Sequence, residues 1–155
     1  MKRFLFVIFL IAACAAGATA QKLTAAEVKD FVNNKTYSFE AETARPTAGG
    51  QKHLTPGYSL KLNGDSLNAY LPYFGKSYTA PMNPADVGIN VATTVFDYKI
   101  SEGEKNSYEI LMKPKDKVYN AEFDLTVYDN GTAYLQVTQP DRQPISFTGY
   151  IKGLK

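Results

Sequence analysis

Cysteine, histidine and tryptophan are almost missing from this chain. Its 155 residues include one Cys, one His and no Trp. A single cysteine excludes an intrachain disulfide framework and any thiolate metal cluster. A single histidine, His53, excludes a multi-histidine metal site and leaves Ser–His and Cys–His schemes unsupported. It falls in a polar segment with no carboxylate or cysteine beside it, which is too little for metal binding or base catalysis. No glycine-rich phosphate loop occurs. The apolar run Phe4 to Ala13 has ten residues, where a membrane-spanning helix needs roughly twenty. What remains is a length suited to one domain with a core of ordinary size.

That apolar run has a different use. Lys2 and Arg3 precede it, and small residues follow it down to Ala18-Thr19-Ala20. A basic start, an apolar middle and a small-residue end are the parts of a secretory leader, with cleavage before Gln21. The expected organisation is therefore a leader over 1–20 and one domain over 21–155. Within the leader, Ile11-Ala12-Ala13-Cys14 resembles a bacterial lipobox, which would place a lipid on Cys14. The run Ala15 to Ala20 reads as an ordinary cleavage region and favours release. Loss of Lys2 and Arg3 leaves 15 basic residues against 15 acidic ones. A neutral domain has no electrostatic case for nucleic acid, and only a lipidated Cys14 would bring it to a membrane.

After the leader, Thr24-Ala25-Ala26-Glu27 has the form of a capping box. Leu23, Val28, Phe31 and Val32 then share one helical face, and the helix is expected to stop near Asn33 and Asn34. From Lys35 onward the period is two. Tyr37, Phe39 and Ala41 alternate with polar residues, and a polar loop runs from Arg45 to Pro56. Tyr58, Leu60 and Leu62 match Leu67, Ala69 and Leu71 if Leu62 faces Leu67 across a Gly64-Asp65 turn of type II′. Residues 94 to 113 form another candidate pair, in which Phe96, Tyr98 and Ile100 alternate, then Tyr108, Ile110 and Met112, across a charged connection from Glu102 to Asn106. Phe123, Leu125 and Val127 match Val137, Leu135 and Ala133 only with a three-residue loop, Asp129 to Gly131. That loop is a type I turn closed by a G1 bulge, with Gly131 at positive φ. Pro140 ends that strand, and a last one runs from Ile145 to Ile151. The fold class is all-β: an antiparallel meander of eight or nine short strands, an open barrel or a sandwich, with one short N-terminal helix.

The most distinctive stretch is Leu71-Pro72-Tyr73-Phe74-Gly75 followed by Tyr78. Pro72 cannot donate to a ladder, so the strand should leave the sheet there. With Gly57-Tyr58 before it and the stretch Arg142 to Gly149 near the end, this segment resembles the Bacteroidetes family of small exported domains called domain of unknown function 4251. The resemblance spans nearly all of the chain after the leader. It implies an exported, envelope-associated single domain and supplies no catalytic residue.

Tyr70, Tyr73, Phe74 and Tyr78 are the candidate ligand-binding residues, since rings give large contact area at low entropy cost. The bland alternative is that they close the end of the core. Paired acids such as Glu102 with Glu104, or Asp116 with Glu122, fall in loops or on solvent-facing strand positions. A glycosidase would need two carboxylates converging on a cleft. Asp65-Ser66-Leu67 resembles a bacterial O-glycosylation acceptor at Ser66, and Asn34-Lys35-Thr36 and Asn130-Gly131-Thr132 match the N-glycosylation pattern by coincidence. The expected function is non-catalytic binding of a small ligand or glycan by an exported envelope domain, without metal or cofactor. The alternative is a structural or protein-interaction component of the envelope.

Overall fold

The computed structural model describes residues 22–78 and 88–154. The leader, Cys14 and its cleavage region therefore lie outside the described residues. Helix α1 (Ala25–Asn34) starts at Thr24, whose hydroxyl accepts from the Glu27 amide at 3.3 Å while the Glu27 carboxylate accepts from the Thr24 amide at 2.8 Å. The Thr24 amide, together with the Thr24 hydroxyl donating to the same carboxylate at 2.9 Å, holds the Glu27 carboxyl below its ordinary pKa. Lys35 ends the helix in the left-handed region at φ 54°.

The rest is strand: β1 (Thr36–Pro46), β2 (Lys52–His53), β3 (Ser59–Asn63), β4 (Ser66–Leu71), β5 (Ile89–Thr93), β6 (Phe96–Glu102), β7 (Ser107–Pro114), β8 (Glu122–Tyr128), β9 (Thr132–Gln139) and β10 (Arg142–Gly153). The count is ten where eight or nine were expected. The two additions are β2, which pairs Thr43 and Ala44 of β1, and β5, whose Ile89, Val91 and Thr93 point inward. Part of the expected 45–56 loop is thus strand, and β1 runs on to Pro46.

All three expected hairpins form, and the two registers derived from the sequence, Leu62 with Leu67 and Val127 with Ala133, hold. In the third hairpin Tyr98 faces Met112. Only Gly64 of the Gly64-Asp65 pair has positive φ (59°), as a type II′ turn requires. Gly131 stands at φ 85°, and its amide donates to the Tyr128 carbonyl at 2.9 Å.

The sheet is the expected antiparallel meander. Its order is β5-β4-β3-β1-β10-β9-β8-β7-β6, so the first long strand, β1, pairs the last, β10, and the break lies between β5 and β6. β1 carries a bulge between Ala41 and Thr43. Its inward residues therefore switch from Tyr37, Phe39 and Ala41 to Ala44 and Pro46, and the strand can curl around the core. The outermost strands, β5 and β6, are joined by only Thr94-Val95. Eight antiparallel steps separate them, so they run the same way. Residues 89–102 are in effect one bent strand whose first half pairs with β4 and second half with β7. This strand stitches the ends of the sheet into a nearly closed barrel. Lys115 anchors the bend by donating its amide to the Val95 carbonyl at 2.9 Å, and the Thr93 hydroxyl donates to Asp116.

The interior is filled by side chains, with Tyr37, Phe39, Phe123 and Phe147 the largest. Helix α1 plugs one end with Val28 and Val32, which are fully buried. The Tyr98 hydroxyl donates to the Val32 carbonyl at 2.9 Å, and the Gly64 amide to the Lys35 carbonyl at 3.0 Å.

Candidate functional site

The segment after β4 leaves the sheet at Pro72, as its chemistry demands, and docks on the start of β10. The Tyr78 amide donates to the Asp141 carbonyl at 2.7 Å, the Gln143 amide to the Lys76 carbonyl at 3.0 Å, and Ser77 bridges to Arg142. The aromatic residues of this segment divide in two. Tyr73 is half-buried against the core. Its hydroxyl lies 2.9 Å from both the Lys76 and Gln143 carbonyls, and the Arg142 guanidinium sits 5.1 Å from its ring centre. Burial raises the Tyr73 phenol, with Arg142 opposing. Gly75 is required beneath it, because a Cβ there would stand 2.4 Å from the Tyr73 hydroxyl. Phe74 and Tyr78 point outward; Tyr78 is 65% exposed, and Lys52 approaches the Phe74 ring at 5.3 Å.

Tyr70 belongs to a different surface. It lies on β4, on the outward face, 59% exposed. Its ring stacks on Tyr58 with centroids 5.6 Å apart and planes 18° apart. Strand pairing sets two rows of outward residues across β3, β4 and β5. One row is Ser59, Tyr70 and Asn90; the next is Lys61, Asn68 and Ala92. Neighbours in a row are about 5 Å apart and the rows about 7 Å. Together they floor an open trough of about 470 Å³, which Tyr119 also lines. Tyr70 is the member of the aromatic group that lines this trough.

The electrostatics of the trough follow from its neighbours on β1 and β10. Burial by itself would raise the Glu40 carboxyl. The Ser38 hydroxyl at 2.7 Å and the Lys152 ammonium at 2.9 Å, with Lys61 nearby, outweigh burial and hold it below its ordinary value. Glu40 is thereby engaged. Lys61 has no carboxylate within 4 Å among the described residues, so the trough keeps a cation surplus. On the other half of the barrel the sign reverses: burial and then Glu122 and Glu109 raise the Asp124 carboxyl.

The remaining sequence candidates are scattered. Glu122 pairs with Lys113 at 3.2 Å, and Asp116 accepts from Thr93, so these two acids do not converge. Glu102 and Glu104 flank an exposed turn. His53 is exposed on β2. The half-buried Ser66 accepts at Oγ from the Asn68 amide group at 2.8 Å. The Asn130 carbonyl oxygen accepts from the Thr132 amide and hydroxyl at 2.9 and 2.7 Å, tying off the turn. Among the described residues, no three His, Cys, Asp or Glu side chains gather closely enough to hold a metal. Sequence reading picked out Tyr70 and passed over Lys61, Asn68 and Asn90. Their signal was three polar residues at outward positions around one outward aromatic.

A family model described as Domain of unknown function (DUF4251) matches residues 19–151. In three dimensions the chain is similar to a DUF4251 family protein from Bacteroides eggerthii DSM 20697, known from a crystal structure. The TM-score is 0.64 at 14% identity, over 83% of this chain and 87% of that one; at that identity the likeness speaks for the fold. No curated protein matches the chain.

Proposed function

The chain belongs to the DUF4251 family, and we propose that it is an exported envelope domain that binds a glycan without catalysis, on the outer surface of its barrel. The observation that carries this reading is the pairing of a side-chain-filled barrel interior with an outward Tyr70 ring held in fixed orientation by Tyr58. Small-ligand barrels hold their cargo in an internal cavity. Here Phe39, Phe123 and Phe147 take that space, and the aromatic surface on offer is outside. Sugars present an apolar C–H face to a ring and hydroxyls to its polar surroundings, and the exposed Asn68 and Asn90 supply donors and acceptors at that level.

The test is retention on an oligosaccharide array by the wild-type domain and by Tyr70→Ala. Wild type should retain glycans, and the variant should lose them at an unchanged melting temperature, because Tyr70 is mostly exposed. If wild type retains no glycan, or Tyr70→Ala binds as wild type does, the reading is wrong. Export is tested by intact mass from the native source. A chain beginning at Gln21 is expected, a lipid adduct on Cys14 would make the protein membrane-anchored, and a mass beginning at Met1 would overturn export.

A further inference from the structure

Within the glycan-binding reading, on which this inference rests, the geometry points to an acidic sugar: the trough across β3, β4 and β5 is a subsite for a uronate-type residue, its carboxylate taken by Lys61. Three observations converge on it. The Tyr70 and Tyr58 rings pack on one another, so there is no slot between them for a flat nucleobase. What the trough offers is a ring beside polar groups, which suits a saturated sugar. In the second row, Asn68 uses its amide nitrogen on Ser66 at 2.8 Å, which orients its carbonyl oxygen as a fixed acceptor. Across from it on β5, Ala92 is short, so a sugar ring can lie close to the strand there.

The third observation is charge. Lys61 directly faces Asn68 in the ladder, and the Glu40 carboxylate nearby is already bound by Ser38 and Lys152. An ammonium that feels Glu40 but makes no salt bridge within 4 Å among the described residues, one row from the stacking ring, favours a ligand with a carboxylate at that spacing. A charge-assisted hydrogen bond contributes more than a neutral one, and the surplus also speeds the encounter with a polyanion. A neutral sugar would leave Lys61 unused.

Titration calorimetry with oligogalacturonate and its methyl ester, on wild type, Lys61→Gln and Tyr70→Ala, separates the possibilities. The two ligands share one backbone and differ in the charged carboxylate. Wild type should bind the acid roughly tenfold more tightly than the ester, with the preference shrinking as salt rises. Lys61→Gln should bind both as wild type binds the ester, and Tyr70→Ala should lose both. Equal affinity of wild type for acid and ester overturns the acidic subsite and leaves glycan binding standing. A preference that survives in Lys61→Gln also overturns it, because Lys61 is then not the group that reads the charge. Failure of wild type to bind either ligand overturns the subsite as well, and the array decides whether glycan binding falls with it.

Discussion

Gly131 shows how one backbone angle can hold together two distant parts of the chain. At φ 85° it occupies a region that costs an L-residue about 1–2 kcal/mol. A Cβ at this position would also stand 3.1 Å from the Leu23 side chain, just ahead of α1. The Gly131 carbonyl accepts from the Ile151 amide at 2.8 Å, so the turn also braces β10. Gly131→Val should therefore destabilise by ~1 kcal/mol or more, from backbone strain and displacement of Leu23. A thermal melt checks it, since 1 kcal/mol shifts a domain of this size by roughly 2–4 °C; an unchanged melt would speak against the G1 bulge. The same scale separates Tyr70 from Tyr73, which look equivalent in the sequence. Tyr73 follows the proline that ends the ladder, so it folds back onto carbonyls of β10. Tyr70 is at an outward position of a strand and has no such choice.

Elements whose partners lie close in sequence were legible. The β3–β4 and β8–β9 hairpins are each fixed by one turn and by two apolar sets that must share a face, so Leu62 opposite Leu67 and Val127 opposite Ala133 could be worked out from letters alone. The capping box at Thr24 is similarly local. What escaped was long-range or irregular. The β1–β10 pairing joins residues 99 to 116 positions apart, and no local pattern encodes it. The bulge after Ala41 shifts the alternation by one, which hid the continuation of β1 to Pro46. The alternation in β5 was present, but in only five residues. The trough was illegible for a further reason. Lys61, Asn68 and Asn90 are ordinary solvent-facing residues on their own strands, and only lateral pairing brings them around Tyr70. The aromatic loop is read from sequence proximity; the fold packs Tyr73 against β10 and leaves Phe74 and Tyr78 exposed.

For the whole molecule, closure depends on where α1 meets the bent strand. The sheet ends do not pair along their length, and helix α1 covers the end near β6. Two phenols stand at that junction. Tyr98, on β6, donates to the Val32 carbonyl of the helix. Tyr37, fully buried on β1, has a hydroxyl with no hydrogen-bond partner of normal geometry. Burial raises the Tyr37 pKa well above the ordinary phenol value, and the neighbouring Tyr98 adds to the rise. Burial also raises Tyr98, opposed by Tyr37. The folded state therefore holds these protons more tightly than the unfolded chain does. Their contribution is fully present below the unfolded value of about 10 and is lost as pH climbs from there through the folded values. Alkaline titration followed by phenolate absorbance and circular dichroism should show Tyr37 and Tyr98 ionising only as the barrel unfolds. Tyr37→Phe removes a buried hydroxyl without a partner, so it should cost little at neutral pH and move alkaline unfolding to higher pH. Tyr98→Phe should be the more costly change at neutral pH, because the helix loses its bond to the barrel wall. If the phenolate signal of Tyr37 and Tyr98, read as the difference from the two Phe variants, develops reversibly while the strand signal stays constant, the helix does not seal the barrel over these phenols.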